Sequence, residues 1–535
     1  MRSQLLLTVR VIILLCCLTI VSSFALPRYD PRHTIYLPTT PSFCHLSTLP
    51  SRRFAFYNDF DDILGGDDDD ATDGDGGNND FDLYEDLRKR QSSLKANRQK
   101  DMQCWKSPPV ETIAFPLLND WVRRVAMDTN AIGSTATSSY AIVGGASGSL
   151  YLIDLSAEAS SPQQIKERML LGTLERIHES TGDEDLPGTS SSVRSRAIDA
   201  LYGGFDGGGI VALAMQDNLV ASAGREGGVH ISYILDKNAA GGKNRLQAVG
   251  KIPGLDSFVT SLSFDQSGRL WVGSFDGMIR AYDLDDESSP GGSLPQQSEP
   301  RFALRADSGI LHLSLADDFG CGVAATEKDG IILFSVMDGS ASVLAKWNPF
   351  ADYDEFARSA VIVQNDEAPG GSPTTIADPA DPSKQVTLAG TASWSVVIGG
   401  SSGSLYQRRL NVGPEGTISH KRPFDDLSPI QKVPEQFQHN GPVVTLACPG
   451  PRVLLSAGQD GTIRVWDSSY QQPSPVDDEM RDEMGGSKPS FLFAMSGFKV
   501  WLGSMIVLKS NQKMLITDGA DNTVIALVFK SAGEN

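Results

Sequence analysis

The sequence predicts an all-β protein whose main domain is a seven-bladed β-propeller, built from four-stranded antiparallel blades. Three observations support this prediction. A hairpin pattern recurs seven times along the 535-residue chain, the copies follow one another at long intervals, and polar stretches rich in glycine and proline separate them. Repeats of this kind are typical of a propeller, in which each copy contributes one small sheet to a ring.

The clearest copy of the hairpin occupies residues 453–467. An apolar run ends at Ser456, a tight turn follows at Asp460 and Gly461, and a second alternating run ends at Asp467. The turn requires a positive φ, which an Asp-Gly pair adopts at little cost. The segment is therefore predicted to be a β-hairpin.

The other six copies become visible once the sequence is aligned on the turn. Their turn positions are Gly148, Gly227, Gly277, Gly330, Gly403 and Asn522. The copies are farther apart than the about 40–45 residues of one blade, so we expect insertions between their strands. Stretches with the composition of insertions occur at about 157–205, 285–300, 364–390, 411–436 and 468–489.

The propeller is predicted to cover residues 110–529, followed by a short tail at 530–535. Nothing after Phe529 is long enough to form the outer strand of the last blade. The apolar segment Glu111–Leu118 has the right length, and its pairing with the last copy would remove an exposed sheet edge. We expect this segment to close the ring. Most insertions should emerge on one face, which leaves the opposite face comparatively bare.

The clearest copy resembles the WD-repeat family. In that family a histidine before the innermost strand, a serine or threonine on the second strand, the aspartate of the turn and a tryptophan on the third strand form a hydrogen-bonded tetrad. The matching residues here are His439, Ser456, Asp460 and Trp466. A buried indole and a buried imidazole need hydrogen-bond partners, which such a set supplies. The resemblance implies that these residues hold a blade together and do no chemistry.

The first 53 residues resemble a targeting presequence. Residues 1–23 combine a basic start, an apolar core and small residues at its end, as a signal peptide does. Residues 24–53 are rich in serine, threonine, proline and arginine and resemble a transit peptide. Together they resemble the bipartite plastid presequence of algae with secondary plastids, which implies a plastid protein. The alternative is an ordinary secretory signal and a secreted protein.

Residues 54–109 are predicted to be a disordered linker that is first acidic and then basic. Thirteen acidic and no basic side chains lie in residues 54–87, a composition that cannot bury enough apolar surface to order the chain. Neither a disulfide framework nor a zinc site is predicted, because the cysteines outside the presequence are few and far apart. These cysteines are Cys104, Cys321 and Cys448.

The charge of the chain bears on its partners. The formal net charge is −20 at pH 7. Nucleic-acid binders concentrate basic residues on one face to neutralise phosphates, and no segment of the predicted propeller contains such a cluster. We therefore expect no nucleic-acid binding. We also expect no membrane span in the mature protein, and a monomeric propeller that binds protein partners.

Two functions of different class remain open. The sequence contains no Gly-x-Ser-x-Gly elbow and no phosphate loop of the Gly-x-x-x-x-Gly-Lys type, so no catalytic residue, metal site or cofactor is predicted. The tryptophans at 121, 271, 466 and 501 are explained as blade packing. The favoured interpretation is a noncatalytic scaffold that binds protein partners through a propeller face. The alternative is an enzyme or small-ligand binder, similar to a quinoprotein, that uses the central channel.

The turns between the second and third strands form the predicted protein-binding rim. These turns are short, and a rigid rim costs little ordering entropy on binding. The family resemblance points to the same face, where WD-repeat propellers often engage peptides and domains. The candidate residues are Arg225, Glu226, Asp276, Lys328, Asp329, Gln459 and Arg464.

Overall fold

Seven four-stranded antiparallel sheets form the folded domain in the computed structural model. The structure describes residues between Cys104 and Phe529 with interruptions, of which the longer ones are 129–139, 156–169, 179–208, 236–243, 285–298, 366–373 and 469–489. All described residues belong to one compact unit, Asp73–Asn535. The predicted signal peptide, the transit-peptide-like segment, almost all of the linker and the tail lie outside the described residues.

The strands are numbered β1 to β30 in chain order, and β1, Glu111–Pro116, belongs to the last blade. Blade one consists of β2 Val122–Ala126, β3 Tyr140–Gly145, β4 Leu150–Asp154 and β5 Leu170–Leu174. Blade two consists of β6 Ala212–Gln216, β7 Leu219–Ala223, β8 Val229–Ile234 and β9 Leu246–Ile252. Blade three consists of β10 Val259–Phe264, β11 Leu270–Ser274, β12 Met278–Tyr282 and β13 Phe302–Arg305. Blade four consists of β14 Ile310–Ala316, β15 Cys321–Thr326, β16 Ile331–Ser335 and β17 Ser342–Trp347.

Blade five contains an additional hairpin of two strands, which is inserted between its first and second strands. This hairpin consists of β19 Thr374–Ala377 and β20 Gln385–Leu388. The blade itself consists of β18 Ala357–Asn365, β21 Ser393–Gly400, β22 Leu405–Arg409 and β23 Gln431–Lys432. After a 3-10 turn at Glu435–Phe437, blade six follows with β24 Val443–Gly450, β25 Val453–Gly458, β26 Ile463–Asp467 and β27 Ser490–Met495. Blade seven consists of β28 Met505–Leu508, β29 Met514–Ala520, β30 Thr523–Val528 and β1.

The hydrophobic core lies between neighbouring blades. Every residue of β16 is buried, because the blade packs against a neighbour on both faces. One cluster joins Leu333 of blade four to Ile362 and Ile398 of blade five. The outermost strand β17 contains exposed, partly buried and buried residues. This pattern of apolar inner strands and mixed outer strands is typical of sheets that are stacked around a ring.

The ring closes as the sequence predicts. Strand β1 pairs antiparallel with β30, so that Glu111 lies opposite Val528 and Pro116 opposite Thr523. The first strand of the domain thus supplies the fourth strand of the last blade and removes an exposed edge. The glycines at six of the seven predicted turns have positive φ, from 69° at Gly461 to 99° at Gly403, which confirms the backbone conformation that these turns require.

The packed domain begins earlier than predicted. Cys104 and Trp105, which we assigned to the disordered linker, are buried between blades six and seven. The ring of Trp105 lies 4.4 Å from the ring of Phe529, measured between centroids. A buried tryptophan contributes enough apolar surface to fix the chain locally, although it directly follows a strongly charged segment.

One predicted insertion is divided between the two faces of the ring. Strand β5 lies within residues 157–205, so part of this stretch joins β4 to β5 and the rest joins β5 to β6. A connection between blades starts on the same face as the turns between second and third strands, because strand direction alternates. There the amide of His178 donates to the carbonyl of Gly148 at 3.2 Å. The described end of this connection, up to His178, therefore lies beside the turn of blade one, on the face that was predicted to be comparatively bare.

Candidate functional site

The four tetrad residues of blade six lie together at the turn between β25 and β26. Trp466 Nε1 donates to Ser456 Oγ at 2.9 Å. His439 Nε2 lies 2.7 Å from Ser456 Oγ, and His439 Nδ1 lies 3.0 Å from Asp460 Oδ1. A continuous line of hydrogen bonds therefore runs from the indole to the carboxylate, and it ties the first three elements of the blade to one another.

The carboxylate of Asp460 is the acceptor at the end of this line. Burial opposes its ionisation, but hydrogen bonds from His439, the Asn440 amide and Thr462 outweigh burial and hold its pKa well below the usual range. Burial lowers the pKa of His439, against the opposing effect of Asp460. His439 is therefore neutral at pH 7, and its Nδ1 carries the proton when Ser456 donates to Nε2.

A serine, a histidine and a carboxylate in hydrogen-bonded order also describe a hydrolytic triad. A nucleophilic serine has to reach the substrate atom that it attacks. Ser456 is fully buried, and its oxygen already accepts the indole N–H of Trp466. The set in blade six therefore stabilises the turn and offers no accessible nucleophile.

Blade two contains a related set that the sequence alignment missed. His178 Nε2 lies 2.9 Å from Ser222 Oγ, and His178 Nδ1 is hydrogen-bonded to Glu226. Ser222 and Glu226 precede the turn glycine Gly227 at the same distances as the tetrad serine and aspartate precede theirs. This spacing was the one feature of the sequence that could have indicated the set. His178 stands far ahead of β6, inside a long connection, so its position could not be inferred from spacing.

Blades one and five reverse the order of acid and hydroxyl. In blade one, Asp120 precedes the first strand, and its carboxylate accepts a hydrogen bond from the Ser147 hydroxyl in the turn at 2.5 Å. In blade five, Glu355 precedes the first strand and accepts from Ser402 and Ser404, each at 2.5 Å. In these two blades the acid therefore precedes the first strand and the hydroxyl lies in the turn, the reverse of blade six. This explains why these copies lack an aspartate before their turn glycine.

Blades three and four keep the turn aspartate and pair it differently. Asp276 accepts from Ser274 Oγ at 2.5 Å and from Arg280 Nη2 at 2.8 Å. Burial opposes ionisation of Asp276, yet these two partners keep its pKa below the usual value. In blade four, Asp329 accepts from the Ser308 hydroxyl at 2.6 Å. Each described turn between a second and a third strand is therefore held by at least one side-chain hydrogen bond, which a carboxylate accepts or a hydroxyl donates.

The predicted rim residues differ in how much of them is accessible. Glu226 and Arg464 are mostly buried, with side chains 13% exposed each. Arg464 Nη1 donates to the carbonyl of Phe437 at 2.6 Å. These two side chains therefore stabilise the turns from buried positions. The remaining described residues of the predicted rim are exposed or partly exposed, namely Asp276, Lys328, Asp329 and Gln459. Arg225 lies outside the described residues.

An exposed tryptophan lies on the same face. Trp121 stands between Asp120 and β2 and is 49% exposed. Its carbonyl accepts the Ala146 amide of the turn in blade one at 2.9 Å. Our interpretation of Trp121 as a packing residue is wrong, whereas Trp271 and Trp466 are fully buried as expected. The sequence does not distinguish these cases, since a tryptophan at the start of a strand fits either.

The first strands of all seven blades line a central channel of about 760 Å³. Three basic side chains reach it from different blades: Arg124 of blade one, His312 of blade four and Arg358 of blade five. Among the described residues that line the channel, none is an aspartate or a glutamate. The channel is therefore electropositive, although the chain as a whole is strongly acidic.

The three basic groups of the channel are held close to one another. Burial, followed by the charges of Arg358 and Arg124, lowers the pKa of His312 to about 4. The imidazole is therefore neutral at pH 7. Its Nδ1 accepts the amide of Ala360 at 3.5 Å, so Nε2 carries the proton and can donate to a ligand.

Comparison with known proteins agrees with the fold. Two segments, 247–283 and 431–467, match the family described as WD domain, G-beta repeat. Each runs from the outermost strand of one blade to the third strand of the next, and the second contains the complete tetrad. No curated protein matches the chain. Within the part of the chain that the structure describes, no helix is long and apolar enough to cross a membrane. The chain thus contains two segments that match WD repeats, within a seven-bladed propeller.

Proposed function

We propose that the protein is a noncatalytic scaffold, which binds a protein partner through the face that carries the turns between second and third strands. The observation that carries this proposal is the exposure of Trp121 beside a rigid turn. Tryptophan is enriched among the residues that dominate binding energy at protein interfaces. WD-repeat propellers generally mediate protein interactions, and the two matching repeats extend that expectation to this chain.

The surroundings of Trp121 also suit a protein interface. The turn in blade one is fixed by the Asp120–Ser147 hydrogen bond, and the turn in blade four by the Ser308–Asp329 hydrogen bond. Groups that are already ordered lose little entropy on binding. Exposed charges of both signs, Lys328 among them, lie on the same face. Such a polar surround favours a protein partner with a mixed, complementary surface.

A comparison of two exposed apolar residues tests this proposal. The tagged protein is isolated from its native cells, its partners are identified by mass spectrometry, and the Kd of the recovered partner is measured. Trp121→Ala should weaken binding by about tenfold or more. Val343→Ala is the matched control, because Val343 is 39% exposed but lies on the outer strand β17. Equal affinities of wild type and both variants would exclude this face.

We also propose that the protein works in a plastid. The support is the order of a signal-like segment, 1–23, and a transit-like segment, 24–53. A fluorescent protein fused to residues 1–53 should enter the plastid of an alga with a secondary plastid, and a fusion to residues 1–23 should remain in the secretory pathway. Secretion of both fusions would favour the alternative location.

A second candidate function is the binding of a small anion in the central channel. The positive charges of Arg124 and Arg358 support it, and the neutral imidazole of His312 adds an N–H donor. Two guanidinium groups match the charge of a dianion of the phosphate type, to which arginine donates hydrogen bonds. Calorimetric titration with inorganic phosphate should show binding that Arg124→Gln weakens and that the exposed Arg301→Gln leaves unchanged. Absence of binding at millimolar phosphate would exclude this function.

A further inference from the structure

Blade two holds three metal-ligating side chains next to one another. His178, Glu226 and His230 each offer one ligand atom, and these atoms all lie within 4.8 Å of one another. His230 Nε2 is 3.8 Å from Glu226 Oε1, and the two imidazole rings meet edge to face with centroids 4.6 Å apart. Ligand atoms that share one zinc ion stand about 3.3 Å apart, so small rotations of these side chains bring them to that spacing.

From this juxtaposition we propose that His178, Glu226 and His230 bind a divalent zinc ion, with water at the fourth position. Two imidazoles and a carboxylate are a ligand set of zinc sites that keep one position open. The imidazoles favour zinc over calcium or magnesium, which prefer oxygen ligands. The site lies beside the partner-binding face that we propose above, because Glu226 belongs to a turn of that face, but metal binding does not require a protein partner.

The surroundings of the cluster suit a metal ion in two respects. Glu226 Oε2 is buried and has no hydrogen-bond partner among the described residues, so a second carboxylate oxygen is available. Gly224 leaves space beside it, since a Cβ there would lie 2.7 Å from His178 Nδ1 and closer still to that oxygen. The side chain of His230 is 22% exposed, which gives an ion a path from solvent.

The hydrogen bond behind His178 selects the nitrogen that faces the metal. His178 Nε2 lies 2.9 Å from Ser222 Oγ, and no tryptophan donates to this serine, because the corresponding position on β8 is Ser232. The Ser222 hydroxyl can therefore accept a hydrogen bond from Nε2–H, which leaves the lone pair of Nδ1 for the ion. A hydrogen bond from the second nitrogen of a ligating histidine is the usual support in metal sites.

Blade six shows why this assignment is specific to blade two. The residue equivalent to His230 is Arg464, a cation whose Nη2 lies 3.6 Å from Asp460. An arginine at that position excludes a metal ion by charge. In blade two the neighbouring cation is Lys251, which pairs with His230 across β8 and β9 and has a flexible side chain that can turn toward solvent.

Metal titrations of the full chain, after treatment with a chelator, test the proposal. The wild-type protein should bind one Zn²⁺ at this site, and His230→Ala should weaken its affinity by at least about tenfold. His230→Ala keeps the hydrogen bonds of His178 with Ser222 and Glu226, so its metal-free form should unfold at the wild-type midpoint. His420→Ala is the control for adventitious binding, because His420 is exposed and lies outside the cluster.

Cobalt supplies an independent readout. Co²⁺ in a site of two imidazoles and one carboxylate should give the intense visible absorption of low coordination number, whereas the carboxylates of the acidic segment give the weak spectrum of six oxygen ligands. His230→Asn, which keeps a polar side chain, should lose the intense bands if His230→Ala does not fold. Equal Zn²⁺ affinities of wild type and the His230 variants, or only the weak cobalt spectrum, would overturn the assignment.

Discussion

Blades two and six use the same backbone register for different polar sets. In blade six the line of hydrogen bonds begins at an indole, Trp466, and ends at Asp460. In blade two the residue at the register position of the tryptophan is Ser232, and the acid is the longer Glu226. Both lines pass through a histidine and a fully buried serine. The comparison therefore shows which residues both turns share and which residues differ between them.

The histidine, the serine and the acid are the parts that the two blades share. In both blades a glycine precedes the turn, and a Cβ at Gly458 or Gly224 would come within 2.7 Å of the histidine Nδ1. The tryptophan and the neighbouring cation are the parts that vary. Blade six is therefore a closed structural unit. Blade two, with His230 where blade six has Arg464, has ligand atoms that remain available.

The largest expected effect is that of Asp460→Ala in blade six. The substitution leaves His439, the Asn440 amide and Thr462 without their common acceptor. A buried donor without a partner costs about 1–3 kcal/mol and a more exposed donor costs less. Because only His439 among the three is fully buried, the free energy of unfolding should fall by about 3 kcal/mol. Denaturant unfolding, followed by the fluorescence of the tryptophans, measures this change. An unchanged midpoint would mean that the tetrad does not stabilise the blade.

Trp466→Phe should have a smaller effect. Phenylalanine retains most of the apolar volume in the core but removes the N–H that donates to Ser456. We expect a loss of about 1–2 kcal/mol from the missing bond and the smaller ring. Trp271→Phe is the control within blade three, because Trp271 is equally buried and donates to a different acceptor, Asp265. If the tetrad acts as a cooperative unit, Trp466→Phe will be the more destabilising of the two.

Acidification should weaken blade six through two groups. The pKa of His439 is lower in the folded protein, so the unfolded chain takes up a proton first as the pH falls below about 6.5. Stability is therefore complete above this pH and declines below it. The pKa of Asp460 is also lowered, and its contribution is lost below about 4.

The pH dependence is tested on a variant without the imidazole. Unfolding of the wild type at pH 7 and pH 5.5 should differ by about 1 kcal/mol more than unfolding of His439→Gln. The matched measurement on His420→Gln should retain the wild-type difference, because His420 is exposed. Equal pH dependence in wild type and His439→Gln would contradict the lowered pKa of His439.

The sequence predicted those features whose residues lie close together in the chain. The tetrad of blade six spans a short segment from His439 to Trp466, and the strand that closes the ring was predicted from its apolarity and from the cost of an open edge. His178 was missed because a long connection separates it from β6. Asp120 was missed because it precedes the first strand, where the family pattern has a histidine.

Surface exposure was the other limit of the sequence. Trp121 and Trp271 each lie near the beginning of a strand, Trp121 directly before β2 and Trp271 within β11. Trp121 is nevertheless half exposed, whereas Trp271 is fully buried. The difference depends on which blade or connection covers the ring, and a strand pattern does not contain that information. The central channel was expected from the fold, but its basic lining was not, since Arg124, His312 and Arg358 come from three distant strands.

The smallest expected effect has the opposite sign and concerns Ser232 in blade two. This residue occupies the register position of Trp466, is fully buried, and its hydroxyl has no hydrogen-bond partner among the described residues. A buried hydroxyl without a partner destabilises the folded state. Ser232→Ala should therefore raise the free energy of unfolding by about 0.5–1 kcal/mol, whereas every change to Trp466 lowers it. Ser222→Ala is the control, because Ser222 is equally buried but bonded to His178, and it should destabilise. A loss of stability in Ser232→Ala would mean that this hydroxyl is bonded in solution, and that blade two contains a fourth polar member after all.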